Sequence, residues 1–241
     1  MRVIGVIPAR YGSTRFEGKP LADIWGKPMI QYVYERARKA SILDRLIVAT
    51  DDYRIKEVVE HFGGKAVMTS PTHPTGTDRS GEVIKDLDVD VVINIQGDEP
   101  LIDPKLIDEV GQPLLDNPKI EMATLAHEIT IKEKYMDPNV VKVVTDAQGF
   151  ALYFSRSLIP YPRKMENFHV YEHIGIYAYR KDFLLKYIQL PSTPLERTES
   201  LEQLRALEND YKIRVIITEK YTGLSVDTKE DLEKVKAFLR K

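Results

Sequence analysis

Short apolar, β-branched runs alternate with segments of helical periodicity through the first half of this chain. That alternation restricts it to an α/β fold built on a largely parallel sheet. Val3-Ile4-Gly5-Val6-Ile7 opens the series as a buried strand, and Arg45 to Ala49, Ala66 to Met68 and Val91 to Ile95 follow as short strands rich in β-branched residues. Between them Ile30, Val33, Tyr34 and Ala37 recur at helical spacing after Pro28, as do Ile55, Val58, Val59 and Phe62 before Gly63-Gly64. These are the crossover helices that parallel strands require. Farther on, Val140 to Val144, Phe150 to Phe154 and Glu172 to Tyr179 are strands separated by longer polar stretches, the pattern of an antiparallel extension inserted over the sheet. Residues 120 to 180 are therefore expected to form a substrate lobe within a single domain spanning residues 1 to 241. The last third predicts a helix near Thr198 to Leu207, a strand over Ile213 to Ile217 and a closing helix from Lys229 to Leu239.

With 241 residues and 43% hydrophobic content the chain can bury a sizeable core. Its formal net charge of -2, from 35 basic and 37 acidic residues, gives no global attraction to nucleic acid or to an anionic membrane, so any phosphate recognition must be local. The absence of cysteine excludes disulfides, thiolate nucleophiles and thiolate metal sites. Neither a signal peptide nor a run of about 20 apolar residues is present, and the expectation is a cytoplasmic protein.

The polar loop after the first strand concentrates charge where open α/β sheets bind ligands. It carries Arg10, Ser13, Arg15 and Lys19 together with Gly12 and Gly18. Arginine offers a planar donor fork, lysine a mobile point charge, and glycine lets backbone N–H groups approach anionic oxygens. The loop is neither a Walker motif nor GxGxxG, so it reads either as a triphosphate cradle or as a solvated βα connection.

Gln96-Gly97-Asp98-Glu99-Pro100 follows the fourth strand and places carboxylates at its end. Asp98 is the first choice for a Mg²⁺ ligand, since magnesium takes one or two carboxylates and completes its shell with water and phosphate oxygens. The alternatives are a cap for the helix beginning near Pro104, or a turn at Glu99-Pro100. Asp227, just before the closing helix, reads locally as an N-cap, a role it shares with Thr228. In His73-Pro74-Thr75-Gly76-Thr77-Asp78-Arg79, Thr77 or Asp78 either caps the next helix or marks a helix N-terminus facing an anionic ligand. Asp51-Asp52 is assigned to helix capping. Arg156 is suited to a substrate carboxylate. His173 reads as a hydrogen-bonded core or rim histidine. Glu202 and Gln203 lie on the helix whose buried side is Leu201, Leu204 and Leu207, where they either face solvent or recognise sugar hydroxyls.

Taken in order, these segments resemble the 3-deoxy-manno-octulosonate (Kdo) cytidylyltransferases. The resemblance runs nearly end to end, through Ile7 to Arg15 with Gly18-Lys19-Pro20, Gly76 to Arg79, Gln96 to Pro100, Phe154-Ser155-Arg156, His173 to Tyr177, Pro194-Leu195-Glu196, Leu201 to Arg205 and Val226-Asp227-Thr228. Glu17 stands where the family usually has proline. Pro20 after Lys19 separates the chain from the sialic acid enzymes, which typically have asparagine there.

The resemblance implies a Rossmann-like nucleotidyltransferase fold, a mixed, mainly parallel sheet flanked by helices with an antiparallel dimerisation extension. It also implies transfer of CMP from CTP to Kdo, making CMP-Kdo for lipopolysaccharide biosynthesis in a cytoplasmic homodimer. Arg10, Ser13, Arg15 and Lys19 would surround the CTP phosphates, with Ala9 and Arg79 on the cytidine. Asp98 and Asp227 would hold Mg²⁺, so the resemblance overrides the capping role for Asp227. Lys19, Arg15, Asp98 and Asp227 would carry the chemistry, and Gln96, Arg156, His173, Tyr177, Glu202 and Gln203 would line the sugar pocket. The alternatives are another keto-sugar acid enzyme and a non-catalytic nucleotide sensor on the same sheet.

Overall fold

The computed structural model describes residues 1–12, 15–164, 166, 168–219, 221 and 224–240. The chain divides into two compact units, Met1–Asp108 with Thr222–Lys241, and Glu109–Tyr221.

The first unit opens with β1 (Val3–Ala9), which is buried along most of its length. A small hairpin of β2 (Asp23–Ile24) and β3 (Lys27–Pro28) leads into α1 (Met29–Ala37). Then come β4 (Arg45–Thr50), α2 (Tyr53–His61), β5 (Ala66–Met68), α3 (Gly76–Ile84) and β6 (Val91–Asn94). Strands β6, β1, β4 and β5 lie side by side in that order and all pair in parallel, with Ile4 opposite Arg45, Val3 opposite Val91 and Val48 opposite Ala66. Parallel pairing orients every carboxyl end the same way, so the loops after β1 and β6 emerge side by side.

Helix α4 (Pro104–Asp116) contains the boundary between the units. The second unit holds β7 (Met122–Glu128), β8 (Lys142–Thr145), β9 (Ala151–Ser155), β10 (Tyr171–Arg180), α5 (Lys181–Tyr187), α6 (Pro194–Glu199), α7 (Leu204–Glu208) and β11 (Ile213–Thr218). β7 pairs in parallel with β11 and antiparallel with β10, and β10, β8 and β9 continue antiparallel. The antiparallel extension is thus present, inside a unit wider than residues 120 to 180. Helix α8 (Lys229–Leu239) then closes the first unit.

One expectation needs correction. The helix read over Thr198 to Leu207 is two short helices, because Ser200 takes a left-handed conformation at φ 53 and ends α6. Glu202 and Gln203 therefore sit in the turn between α6 and α7, not along one helix. Among the described residues no helix is long and apolar enough to cross a membrane.

Candidate active site

In the first unit the chain leaves β1 at Ala9 and folds back on itself. The Gly18 N–H donates to the Tyr11 carbonyl at 2.9 Å, and Gly18 takes φ +68, a conformation glycine adopts without strain. A short 3₁₀ turn, Lys19–Leu21, follows with Pro20 buried. The Arg54 guanidinium lies 3.4 Å from the centroid of the Tyr11 ring and covers the outer side of the loop. Glu17 is exposed and its charge acts on Arg54. Ser13 lies outside the described residues.

The loop after β6 is held against the end of β1 by close backbone approach. A Cβ on Gly97 would lie 2.7 Å from the Pro8 carbonyl oxygen, so only glycine fits. The Val226 N–H donates to the Asp98 carbonyl at 2.8 Å, which ties the chain entering α8 to the same loop. The result is a charge cluster. Lys19 Nζ donates to Asp98 Oδ2 at 2.9 Å and to Asp227 Oδ1 at 3.3 Å, and Arg15 donates to Asp227 Oδ1 at 3.2 Å. The Lys19 side chain is only 16% exposed, against 29% for Asp98 and 40% for Asp227, so the pairings sit partly out of water.

These groups line an open cavity of about 300 Å³ that also includes Pro8, Ala9, Arg10, Gln96, Gly97, Arg79 and the segment His73 to Gly76. Apart from Ser13, every first-unit residue expected in the site therefore borders one space. Arg79 is nearly fully buried in its wall. Its guanidinium donates to Asp51 Oδ2 at 2.9 Å, to the Ser70 carbonyl at 3.3 Å and to the Thr69 hydroxyl.

The capping alternatives separate cleanly. Asp103 accepts from the Lys105 N–H at the start of α4, so Asp98 is not that helix's cap. Thr228 caps α8 through the Asp231 N–H, with Asp231 returning the bond, which leaves the Asp227 carboxylate to Lys19 and Arg15. Lys234 and the Thr228 cap hold the Asp231 carboxyl down to about 2. Thr75 caps α3, with Asp78 as its box partner, correcting the choice of Thr77 or Asp78. Asp52 caps α2, whereas its neighbour Asp51 is the Arg79 partner, so only half of that pair is a cap.

Asp98 and Asp227 present hard carboxylate oxygens to a single cationic atom, a donor set that suits Mg²⁺. Among the described residues no group of three or more His, Cys, Asp or Glu side chains is gathered for a metal. Two protein ligands are what a magnesium ion sharing its shell with triphosphate needs. Next to Asp98, the carboxyl of Glu99 is pushed up to about 8 by burial, with the Asp98 charge adding to the shift. Glu99 was read from the sequence only as part of a turn.

The remaining expected sugar residues lie in the second unit. Between Ile174 and Tyr177 the β10–β7 register slips by a bulge, a device that re-aims side chains near functional sites. Gly175 inside the strand pattern was the available signal for it. The buried Thr124 hydroxyl spans the bulge, within 3.1 Å of the Ile174 carbonyl, 2.8 Å of the Ile176 carbonyl and 3.0 Å of His173 Nε2. A hydroxyl has one proton and here two carbonyls to receive it, so its oxygen accepts from Nε2–H. His173 is therefore the Nε2–H tautomer, with the Nδ1 lone pair left as an acceptor. Its ring packs edge-on against Phe154 at 5.0 Å and against Tyr177 at 5.4 Å. Burial pushes the imidazole down to about 3, so it is neutral. Burial first, and the Glu202 charge second, push the Tyr177 hydroxyl well above the usual tyrosine range.

Gln203 is 4% exposed, and its Nε2 has no hydrogen-bond partner among the described residues. A buried donor left so has an unmet need for an acceptor, which a water or a bound molecule supplies. Arg156 places Nε 2.7 Å from the Glu199 carbonyl, and its terminal nitrogens 2.8 Å from that of Pro138 and 3.4 Å from that of Ser200.

Residues 4–213 match the model of a family described as cytidylyltransferase, which sets the class that the sheet and its cavity define. A 3-deoxy-manno-octulosonate cytidylyltransferase from Syntrophotalea carbinolica is 54% identical, covering 100% of this chain and 99% of its own, and one from Geotalea uraniireducens is 53% identical, covering 100% of both. The solved structure of a CMP:2-keto-3-deoxy-manno-octonic acid synthetase complexed with CTP matches with a TM-score of 0.96 at 48% identity, over 100% of this chain and 99% of that one. The chain belongs to the 3-deoxy-manno-octulosonate cytidylyltransferase family.

Proposed function

We propose that this protein transfers CMP from CTP to the anomeric 2-hydroxyl of Kdo and releases pyrophosphate. The observation that carries the reading is the cavity at the carboxyl end of β1 and β6, where Arg10, Arg15 and Lys19 meet Asp98 and Asp227. Its full-length relatives bear the name of this reaction.

The sugar hydroxyl oxygen forms a bond to the α-phosphorus as the bond from that phosphorus to the bridging oxygen breaks. Pyrophosphate leaves with the electron pair, and the hydroxyl proton is released. There is little covalent work for the protein, so catalysis is positioning and charge stabilisation. Arg10, Arg15 and Lys19 bind the triphosphate, and Lys19 and Arg15 stabilise the charge gathering on the departing pyrophosphate. Ala9 and Arg79 bound the cytidine side. Asp98 and Asp227 would hold Mg²⁺, which when bound supplies positive charge against the triphosphate and lowers the pKa of an oxygen it contacts. On the sugar side we place Gln96, Arg156, His173, Tyr177, Glu202 and Gln203. Neutral His173 offers Nδ1 as an acceptor for a sugar hydroxyl, and Gln203 offers its unpartnered amide. We further place the enzyme in the cytoplasm as a homodimer, with the antiparallel extension at the subunit contact and the product feeding lipopolysaccharide biosynthesis.

Pyrophosphate release from CTP and Mg²⁺, measured with Kdo, with sialic acid and with no sugar, tests the reaction. Release with Kdo alone is expected. Release with sialic acid but not Kdo moves the assignment to a sister enzyme, and CTP binding without release under any condition makes the chain a nucleotide sensor. Light scattering on the eluting protein checks the dimer.

A further inference from the structure

Lys142 is fully buried, on β8 between Ser155 of β9 and Glu172 of β10. A lysine is almost never placed so unless its charge is answered. Here the ammonium donates to three backbone carbonyls, those of Asp137 at 2.8 Å, Val140 at 2.6 Å and Arg156 at 2.7 Å. An ammonium has three protons, so none is left for a ligand. Burial lowers its pKa, while Asp137, Glu172 and Glu199 oppose that shift. With its three protons taken by backbone carbonyls, the group is not a substrate contact. What it does is fix a junction.

That junction continues outward. Arg156, whose carbonyl Lys142 holds, reaches back to the Pro138 carbonyl, so the 137–140 segment is gripped twice. Arg156 also donates to the carbonyls of Glu199 and Ser200, at the carboxyl end of α6. The Glu199 carboxylate returns the grip, accepting from the Ser155 hydroxyl at 2.7 Å and the Arg156 N–H at 2.9 Å. Ser200, in its left-handed conformation, then sends the chain into Glu202 and Gln203. A continuous set of bonds thus runs from the buried ammonium to the turn that carries two of the proposed sugar contacts.

We infer that Lys142, acting with Glu199, is a positioning residue for sugar recognition, holding Arg156 and the turn of residues 200–203 in place. The inference rests on the Kdo reading of the second unit. Every one of these bonds is made among residues of the second unit, where five of the proposed sugar contacts lie, so the effect of breaking them is expected on that substrate.

The test is steady-state kinetics of Lys142→Met, which keeps the length of the side chain and removes the donors, with Kdo and CTP varied separately. The expected result is a fall in kcat/KM for Kdo of roughly ten- to a hundredfold, the scale of a displaced substrate group. KM for CTP stays within about twofold. A purely structural lysine gives instead an equal loss for both substrates, or a lower unfolding midpoint with neither KM changed, and either result overturns the positioning role. If Lys142→Met does not fold, Glu199→Gln breaks the same junction from its outer side and must show the same split. Wild-type enzyme that releases no pyrophosphate with Kdo overturns the reading and the inference together, whereas turnover with unsplit constants overturns the inference alone.

Discussion

His173 makes the stability of the second unit depend on pH in a direction set by its surroundings. Enclosed by Thr124, Phe154 and Tyr177, its imidazole falls from 6.5 to about 3 because burial penalises the charged form. The folded state therefore refuses a proton that the unfolded chain accepts below pH 6.5. More protons bound on unfolding means that stability rises with pH. The contribution is whole above pH 6.5, is lost as pH falls below it, and levels off near pH 3. At about 1.4 kcal/mol per unit, the shift sets a ceiling of about 5 kcal/mol. Part of the residue still meets solvent, and screening there reduces the expected loss to about 2–3 kcal/mol. The perturbation is His173→Gln, which does not titrate but can still donate to the Thr124 hydroxyl. Urea unfolding of both proteins, followed by circular dichroism from pH 7.5 to pH 4, gives their stability difference. That difference should shift in favour of the variant as pH falls. A difference that stays flat across the window refutes the buried, neutral histidine and the Nδ1 acceptor with it.

Three further outcomes follow from other parts of the molecule. Asp98→Asn should keep the far-ultraviolet spectrum but lower pyrophosphate release by about a hundredfold or more, and unchanged turnover at saturating Mg²⁺ removes Asp98 from the chemistry. Ile24→Ala should cost about 2–5 kcal/mol in urea unfolding, because Ile24 is fully buried in a cluster with Met29, Leu101, Val226, Leu232 and Val235. Phe16 and Leu101 bring the segments of Lys19 and Asp98 to the same cluster, so the CTP dissociation constant should rise as well, and a stability loss with unchanged CTP binding breaks that link. Thr228→Ala removes the α8 cap at about 1 kcal/mol, read as a melting temperature lower by about 2–4 °C.

The strands and helices that the sequence revealed were those whose pattern is local. Ala66 to Met68 and Lys229 to Leu239 stand where periodicity put them, since a short β-branched run and a capped amphipathic helix need no distant partner to be recognised. β7 was missed as a strand. Met122-Ala-Thr-Leu-Ala is rich in small residues, and the strand is buried and flanked by β10 and β11, so neither alternation nor a β-branched run advertises it. The break at Ser200 was hidden for a different reason. Leucines at 201, 204 and 207 keep helical spacing through a turn that one left-handed residue creates.

Site residues divide along the same line. Local rules offered either Asp227 or Thr228 as the N-cap, and it is Thr228 that takes the cap, leaving the Asp227 carboxylate out of it. The carboxylate is instead claimed by Lys19 from 208 positions away, a distance no window of sequence can span. Topology closes that gap. Parallel strands bring the loops after β1 and β6 out side by side, Gly97 lets them touch, and the bond from the Val226 N–H to the Asp98 carbonyl draws in the chain entering α8. One apolar cluster then packs beneath the segments carrying Lys19, Asp98 and Asp227, so the charges above it are held by burial below. The chemistry was visible in residue types. Its assembly was legible only through the order of the motifs, because that order repeats the path of a fold that brings them together.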